Sequence, residues 1–270
     1  MTAGAPGRPL NARWDDDPTG YDHVRTCHLN DRRTAFVAAR LTDGHSGGHV
    51  VEIGSGTGWL LRKLAVLRPD LRFTGVEPLE NYVRFAVEAT CEQDLGERVR
   101  FVRGTAEGLE GALSGATDAP RWVLTNDVLH HVADVPAAVR ATTAIAAPGA
   151  RWLAIEPNAV NPYVFAMHTI KRGEAVFRPG PFLDAAGACG WTLRQRSRLF
   201  LVPPFVRRPP AWAARLETRF EHVAPIAGGL ALELSLGSRP TRRTPPGDRG
   251  HRGRSPTRTA PRRRSAAAGR

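Results

Sequence analysis

Two adjacent histidines, His130 and His131, stand in the stretch NDVLHHVAD. An acid followed by three alternating glycines, Glu52-x-Gly54-x-Gly56-x-Gly58, stands in VVEIGSGTGWL. An imidazole titrates near neutral pH and can take a proton from an acceptor group, so either histidine is a candidate general base. Neighbouring side chains point in different directions, so at most one of the two is expected to face a bound acceptor. No nearby set of carboxylates or cysteines has metal-ligand spacing, and no metal is expected. Glycines at a strand-to-helix turn keep side chains off the backbone and permit positive φ, so a ligand can approach the chain closely there.

The elements around these residues predict how they are positioned. HVVEI reads as a short buried strand, followed by the glycine turn and an amphipathic helix, WLLRKLAVL. RFTGVE, RVRFVRG, RWVLTND and the strand in PGARWLAIEPN follow, with helices in LENYVRFAVEATCEQ and over 134–146. Sustained alternation of strand and helix implies a parallel sheet with helices on both faces. Later come a polar and aromatic connection over 157–178, a helix in PFLDAAGACGW, the strand TLRQRSRLFLV, a helix in PPAWAARLETRFEHV and a last strand, GLALELSLG. The expected fold is a doubly wound α/β domain with a mostly parallel, seven-stranded sheet. Upstream, 21–41 reads as one helix. The domain is expected over 21–237, behind a flexible stretch over 1–20.

Two ligand classes use a glycine turn of this kind. Dinucleotides prefer G-x-G-x-x-G, whose third glycine lets the helix pack close to a pyrophosphate. Here the third-glycine position is Trp59. The segment instead resembles motif I of the class I S-adenosylmethionine-dependent methyltransferases, and the resemblance runs in order from Tyr21 to Gly237. It implies S-adenosyl-L-methionine as cofactor, with Glu52, Gly54, Ser55, Gly56 and Gly58 beside it. Glu77 and Pro78 follow the second strand in GVEP, where a carboxylate can accept from both ribose hydroxyls. Thr105, Ala106 and Glu107, in GTAEGL, correspond to the family's segment beside the adenine, with Thr105 where the family often has Asp. Asn126 and Asp127 correspond to the segment beside the methionyl part. Tyr21 and Arg25 resemble a family helix that closes over the cofactor. Glu52 is expected either to hold the loop or to bind the methionyl ammonium.

Methyl transfer from a sulfonium needs mostly alignment and exclusion of water. A hydroxyl acceptor would also use a base, which returns the argument to His130 and His131. Asn158, Asn161 and Tyr163 are read as the start of a substrate-side connection. The regions 157–178 and 208–222 are expected to cover the acceptor. A small-molecule acceptor is expected, with O-methylation slightly favoured. The rivals are a nucleic-acid methyltransferase and a binding protein without turnover. A nicotinamide oxidoreductase is counted against by Trp59.

Charge bears on the nucleic-acid rival. Residues 238–270 hold 11 Arg and one Asp, so +10 of the net +12 lies there and only +2 remains for 1–237. This Arg/Pro-rich tail lacks large apolar residues and is expected to be disordered. It could bind nucleic acid or an anionic membrane surface. The stretch 199–227 mixes aromatic and apolar residues with arginine. It could line a lipophilic pocket or lie on a membrane, though helices packed on a last strand pair commonly look the same. Three separated cysteines, Cys27, Cys91 and Cys189, fit a reducing cytoplasm. No apolar leader is expected at the start.

Overall fold

Val50, Val51 and Ile53 are β-branched and buried, which suits a strand covered on both faces. They form β1 (His49–Ile53) in a computed structural model that describes residues 16–41, 48–115, 118–172 and 175–237. β1 pairs in parallel with β2 (Arg72–Glu77) on one side and β4 (Trp122–Asn126) on the other. With β3 (Val99–Arg103), β5 (Arg151–Pro157), β6 (Trp191–Leu199) and β7 (Gly229–Leu236), the sheet runs β3-β2-β1-β4-β5-β7-β6. β7 lies antiparallel to β5 and β6. The seven-stranded, mostly parallel sheet is therefore as expected. Its strand order reverses between β1 and β4, the point where such sheets open a crevice beyond their carboxyl ends.

Strand alternation feeds two separate cores. On β5, Leu153 and Ile155 join one cluster, and Trp152 and Ala154 the other. The first cluster is closed by α2 (His28–Arg40), α3 (Trp59–Leu67) and α4 (Glu80–Cys91). The second is closed by α5 (Leu109–Ala112), α6 (Val135–Ile145) and α8 (Pro179–Ala188), with Phe182 edge-on to Trp152. The short helix α5 was not foreseen.

Three expectations need correction. The single helix over 21–41 is two, α1 (Pro18–Arg25) and α2. The break follows from local hydrogen bonding. Asn30 Nδ2 donates to Arg25 O at 2.9 Å, capping α1, and Cys27 between the helices is extended. α1 also begins inside the stretch expected to be flexible. Pro18 opens it, and the Asp17 carboxylate accepts from Gly20 N at 2.7 Å. The connection over 157–178 is likewise partly helical. α7 (Pro162–Ala166) runs into a π-helical turn, Met167–Arg172. α9 (Ala211–Phe220) falls within the helix expected near 208–222. The tail over 238–270 lies outside the described residues. The three cysteines are free thiols. No described helix is long and apolar enough to cross a membrane.

Gly58 shows why the turn tolerates little change. It caps α3 at φ +73°, and a Cβ there would stand 2.3 Å from the Phe101 ring. Gly58→Ala combines a left-handed side-chain residue with overpacking, and should cost about 2–4 kcal/mol. Denaturant unfolding of the two chains measures this; a loss below about 1 kcal/mol would contradict the close packing described.

Candidate active site

A cleft of about 420 Å³ opens beyond the carboxyl ends of β1, β2 and β4. Its floor is the turn after β1. Gly54 and Gly56 both have positive φ, and a Cβ on Gly56 would meet the Tyr21 ring at 3.3 Å. The turn is held by Glu77 at the end of β2. Glu77 Oε2 accepts from Gly56 N at 2.8 Å, and its Oε1 accepts from Leu79 N at 3.1 Å. Burial nonetheless raises the Glu77 carboxyl above its ordinary range, with these two hydrogen bonds opposing the shift.

The roof is α1. Its Asp22 carboxylate accepts from Thr57 Oγ1 at 2.7 Å and from Arg62 Nη2 at 2.6 Å, tying α1 to the start of α3. Tyr21 meets Tyr82 of α4 edge-on, with ring centroids 5.3 Å apart. The Arg25 guanidinium lies over the Tyr21 ring and bonds its hydroxyl.

Charge in the cleft is unevenly matched. Asp127, itself at φ +55°, accepts from Arg33 Nη2 at 2.9 Å and lies 3.9 Å from Arg25 Nη1. Burial opposes its ionisation, but Arg33 and Arg25 outweigh it and hold the carboxyl low. Glu52 is less well served. Burial pushes its carboxyl up to about 8; Arg25 and Arg33 pull against this, and Glu77 adds to it. Glu52 Oε2, Ser55 Oγ and Asn126 Oδ1 line the cleft and are buried without a hydrogen-bond partner. Unsatisfied buried polar atoms in a concave wall are what a polar ligand would satisfy.

Of the residues expected at the cofactor, Tyr21, Arg25, Glu52, Gly54, Ser55, Gly56, Glu77, Pro78, Thr105, Ala106, Glu107, Asn126 and Asp127 all line this one cleft. Gly58 does not; it stands behind the wall, against Phe101. The histidines separate. His131 lines the cleft. His130 is turned away, its side chain 2% exposed, with Nδ1 2.7 Å from Glu156 Oε2. Glu156 Oε1 accepts from Val128 N and Leu129 N, so this pair braces the loop after β4. A base role for His130 is corrected accordingly.

The residues expected on the substrate side lie outside this cleft. Asn158 Nδ2 donates to Ala224 O and Ala227 O, each at 2.8 Å. Asn161 caps α7 by accepting from Tyr163 N and Val164 N, and donates to Ile226 O. Both are spent on backbone, and Tyr163 is exposed beside Phe205. The cleft instead gains Asn30 and Arg33 from α2. Their three-residue spacing puts them on one face of α2, but no motif marks them as cleft residues. Among the described residues, no group of three or more His, Cys, Asp or Glu could hold a metal ion.

Comparison with known proteins agrees with this architecture. Residues 21–193 match the model of the Methyltransferase domain family, and the chain belongs to that family. By class, then, it carries a methyltransferase domain. Among curated proteins it is similar to ribosomal RNA small subunit methyltransferase G of Salinispora arenicola (strain CNS-205). The two are 42% identical over 130 residues, 47% of this chain and 52% of that protein. The chain thus spans about half the length of the curated relatives it matches. Among solved structures it shares its fold with a protein proposed to be a sarcosine dimethylglycine methyltransferase from Galdieria sulphuraria. The TM-score is 0.62 at 12% identity, over 82% of this chain and 98% of that one. The O-methyltransferase NcsB1 from neocarzinostatin biosynthesis, solved with S-adenosyl-L-homocysteine and 1,4-dihydroxy-2-naphthoic acid, aligns with a TM-score of 0.57. Identity there is 20%, over 83% of this chain and 60% of that one.

The Glu52 environment generates a pH prediction. In the folded chain Glu52 keeps its proton up to about 8, whereas its ordinary value is 4.5. The folded state therefore binds the extra proton between those values, and this residue's contribution to stability falls as pH rises through them. Glu52→Gln removes that dependence. Denaturant unfolding without added cofactor, from about pH 5 to about pH 9, should show the wild type losing stability relative to the variant; parallel profiles would contradict it.

Proposed function

We propose that this domain transfers the methyl group of S-adenosyl-L-methionine to a small-molecule acceptor, most readily a hydroxyl, in the cytoplasm. The observation that carries the reading is the roofed cleft in which Glu77, the glycine turn, Glu52 and His131 meet. In this reading the Glu77 carboxylate accepts from the ribose hydroxyls, charge-assisted bonds that its present backbone donors rehearse. Thr105, Ala106 and Glu107 flank the adenine. Glu52 and Asp127 face the ammonium, and Arg25 and Arg33 the carboxylate of the methionyl part. When bound, the cofactor supplies a methyl already activated on a positive sulfur.

The residues fit that group and disfavour its rival. Burial holds Glu52 in its protonated range, and a ligand carrying sulfonium and ammonium charges would favour its ionised form. A pyrophosphate would face the same acids with like charge. Trp59 also lines the cleft where a dinucleotide turn would have glycine. The chain's remaining task is to orient the acceptor and exclude water. α1 covers the site, and His131 stands in the wall to take a hydroxyl proton. A covered concave site of this size suits a small acceptor. The +2 charge of residues 1–237 gives the body little pull on a polyanion.

The relatives named as ribosomal RNA methyltransferases favour a second reading, in which the acceptor is ribosomal RNA. Labelled methyl donor separates the two. Incubated with metabolite extract and, separately, with small ribosomal subunits, the chain should label an extract component and not RNA. Gly56→Arg should abolish the labelling, and His131→Ala should reduce it by about 10²–10⁴ without loss of donor binding. Label confined to RNA would replace the small-molecule reading with the ribosomal one.

A further inference from the structure

Helix α9, expected either to cover the acceptor or to lie on a membrane, turns its acidic side inward. The Glu217 side chain is fully buried. Its Oε1 accepts from Leu201 N and Val202 N, and its Oε2 is 2.5 Å from His28 Nε2. Thr218 and Glu221 meet Arg32 of α2. These contacts fix which way the helix faces.

The opposite face carries Trp212, Leu216, Phe220 and Val223, spaced at helical intervals and exposed by 64%, 42%, 40% and 36%. The helical part of this stripe is roughly 12 Å long. Ahead of the helix, Phe205 is 69% exposed, with the Tyr163 ring centroid 6.3 Å from its own. Exposed apolar surface of this extent, contiguous along a helix, marks an interaction site more often than chance.

Charge narrows the partner. Arg208, Arg215 and Arg219 are exposed and interleave with the apolar stripe. Between 205 and 226 the sequence has two acids, Glu217 and Glu221, and both are turned toward α2. The outward face is therefore apolar and cationic with no acid among it. A second copy of the chain would set these arginines against themselves across a two-fold interface, where like charges repel. RNA would satisfy the arginines but leave Leu216 and Val223 without a stacking partner. An aromatic, aliphatic and arginine-bearing helix face is the composition of an interfacial membrane helix.

We propose that this α9 face docks on an anionic lipid bilayer, with Phe205 and Trp212 in the interfacial layer and Arg215 and Arg219 at the lipid phosphates. The proposal is independent of which acceptor the active site uses.

Vesicle sedimentation with the full chain tests it. Phosphatidylcholine vesicles containing a minority of phosphatidylglycerol should bind the chain, and pure phosphatidylcholine vesicles should bind it far less. Brominated lipid in the bound vesicles should quench tryptophan emission. The charge-preserving variant Trp212→Ser/Leu216→Ser keeps every arginine, including those of residues 238–270, and alters only exposed side chains. It should bind roughly tenfold more weakly or worse, with an unchanged unfolding midpoint. Arg215→Gln/Arg219→Gln should narrow the preference for anionic lipid. Equal vesicle binding by the Ser variant would overturn the proposal, since another basic surface would then carry the attraction. So would absence of vesicle binding, as when another segment of the chain already covers the stripe. A solution dimer that the Ser variant loses, seen by light scattering, would assign the face to a second copy instead.

Discussion

A single buried carboxylate organises this molecule's working end. Glu77 reaches from the tip of β2 to the amide of Gly56 in the turn after β1, while its other oxygen holds Leu79 N. The contact fixes a backbone that left-handed glycines would otherwise leave pliable. It also brings a negative charge into a place where burial opposes it. With Glu52 in the same wall, the cleft holds more acid than Arg25 and Arg33 neutralise comfortably. A cleft so built favours a ligand that carries positive charge, as the proposed methyl donor does.

The remaining elements serve that contact at increasing distance. The strand reversal between β1 and β4 opens the crevice. Asp22 pins α1 over it through Thr57 and Arg62. Arg33 of α2 and Arg25 of α1 converge on Asp127 after β4, linking roof, flank and sheet through one acid. Glu156 then holds the next turn of the same loop by two backbone amides and His130, so His131 is presented to the cleft while its neighbour is buried. The two histidines thus have unlike jobs despite being adjacent, one bracing and one facing the cavity.

Much of this was legible in the residues. Strand β2 and helix α3 have the limits read from their sequences, because β-branched runs and an amphipathic period bounded by glycine and proline leave little choice. The residues that the family resemblance placed beside a cofactor, Gly58 excepted, gather in one cleft because they sit at the ends of neighbouring strands and on the helix above them. What escaped the sequence depended on contacts between distant segments or on short-range capping. Asn30 ending α1 turns one expected helix into two. Asn158 and Asn161 look like substrate ligands until the carbonyls of 224–227 are seen to take their amides. Arg33 gave no motif signal, because its meaning comes from Asp127, 94 residues away. The outward stripe of α9 was visible as composition, but its direction was set by Glu217 finding amides at Leu201 and Val202.

Isothermal calorimetry of the purified chain with S-adenosylmethionine, S-adenosylhomocysteine and NAD addresses the central claim most directly. Saturable heat is predicted with the first two and none with NAD, and Glu77→Gln should weaken both by about tenfold or more, as loss of a charge-assisted acceptor requires. Saturation by NAD, with no heat from the methyl donor or its demethylated product, would show that the acids in this cleft were assembled for something else.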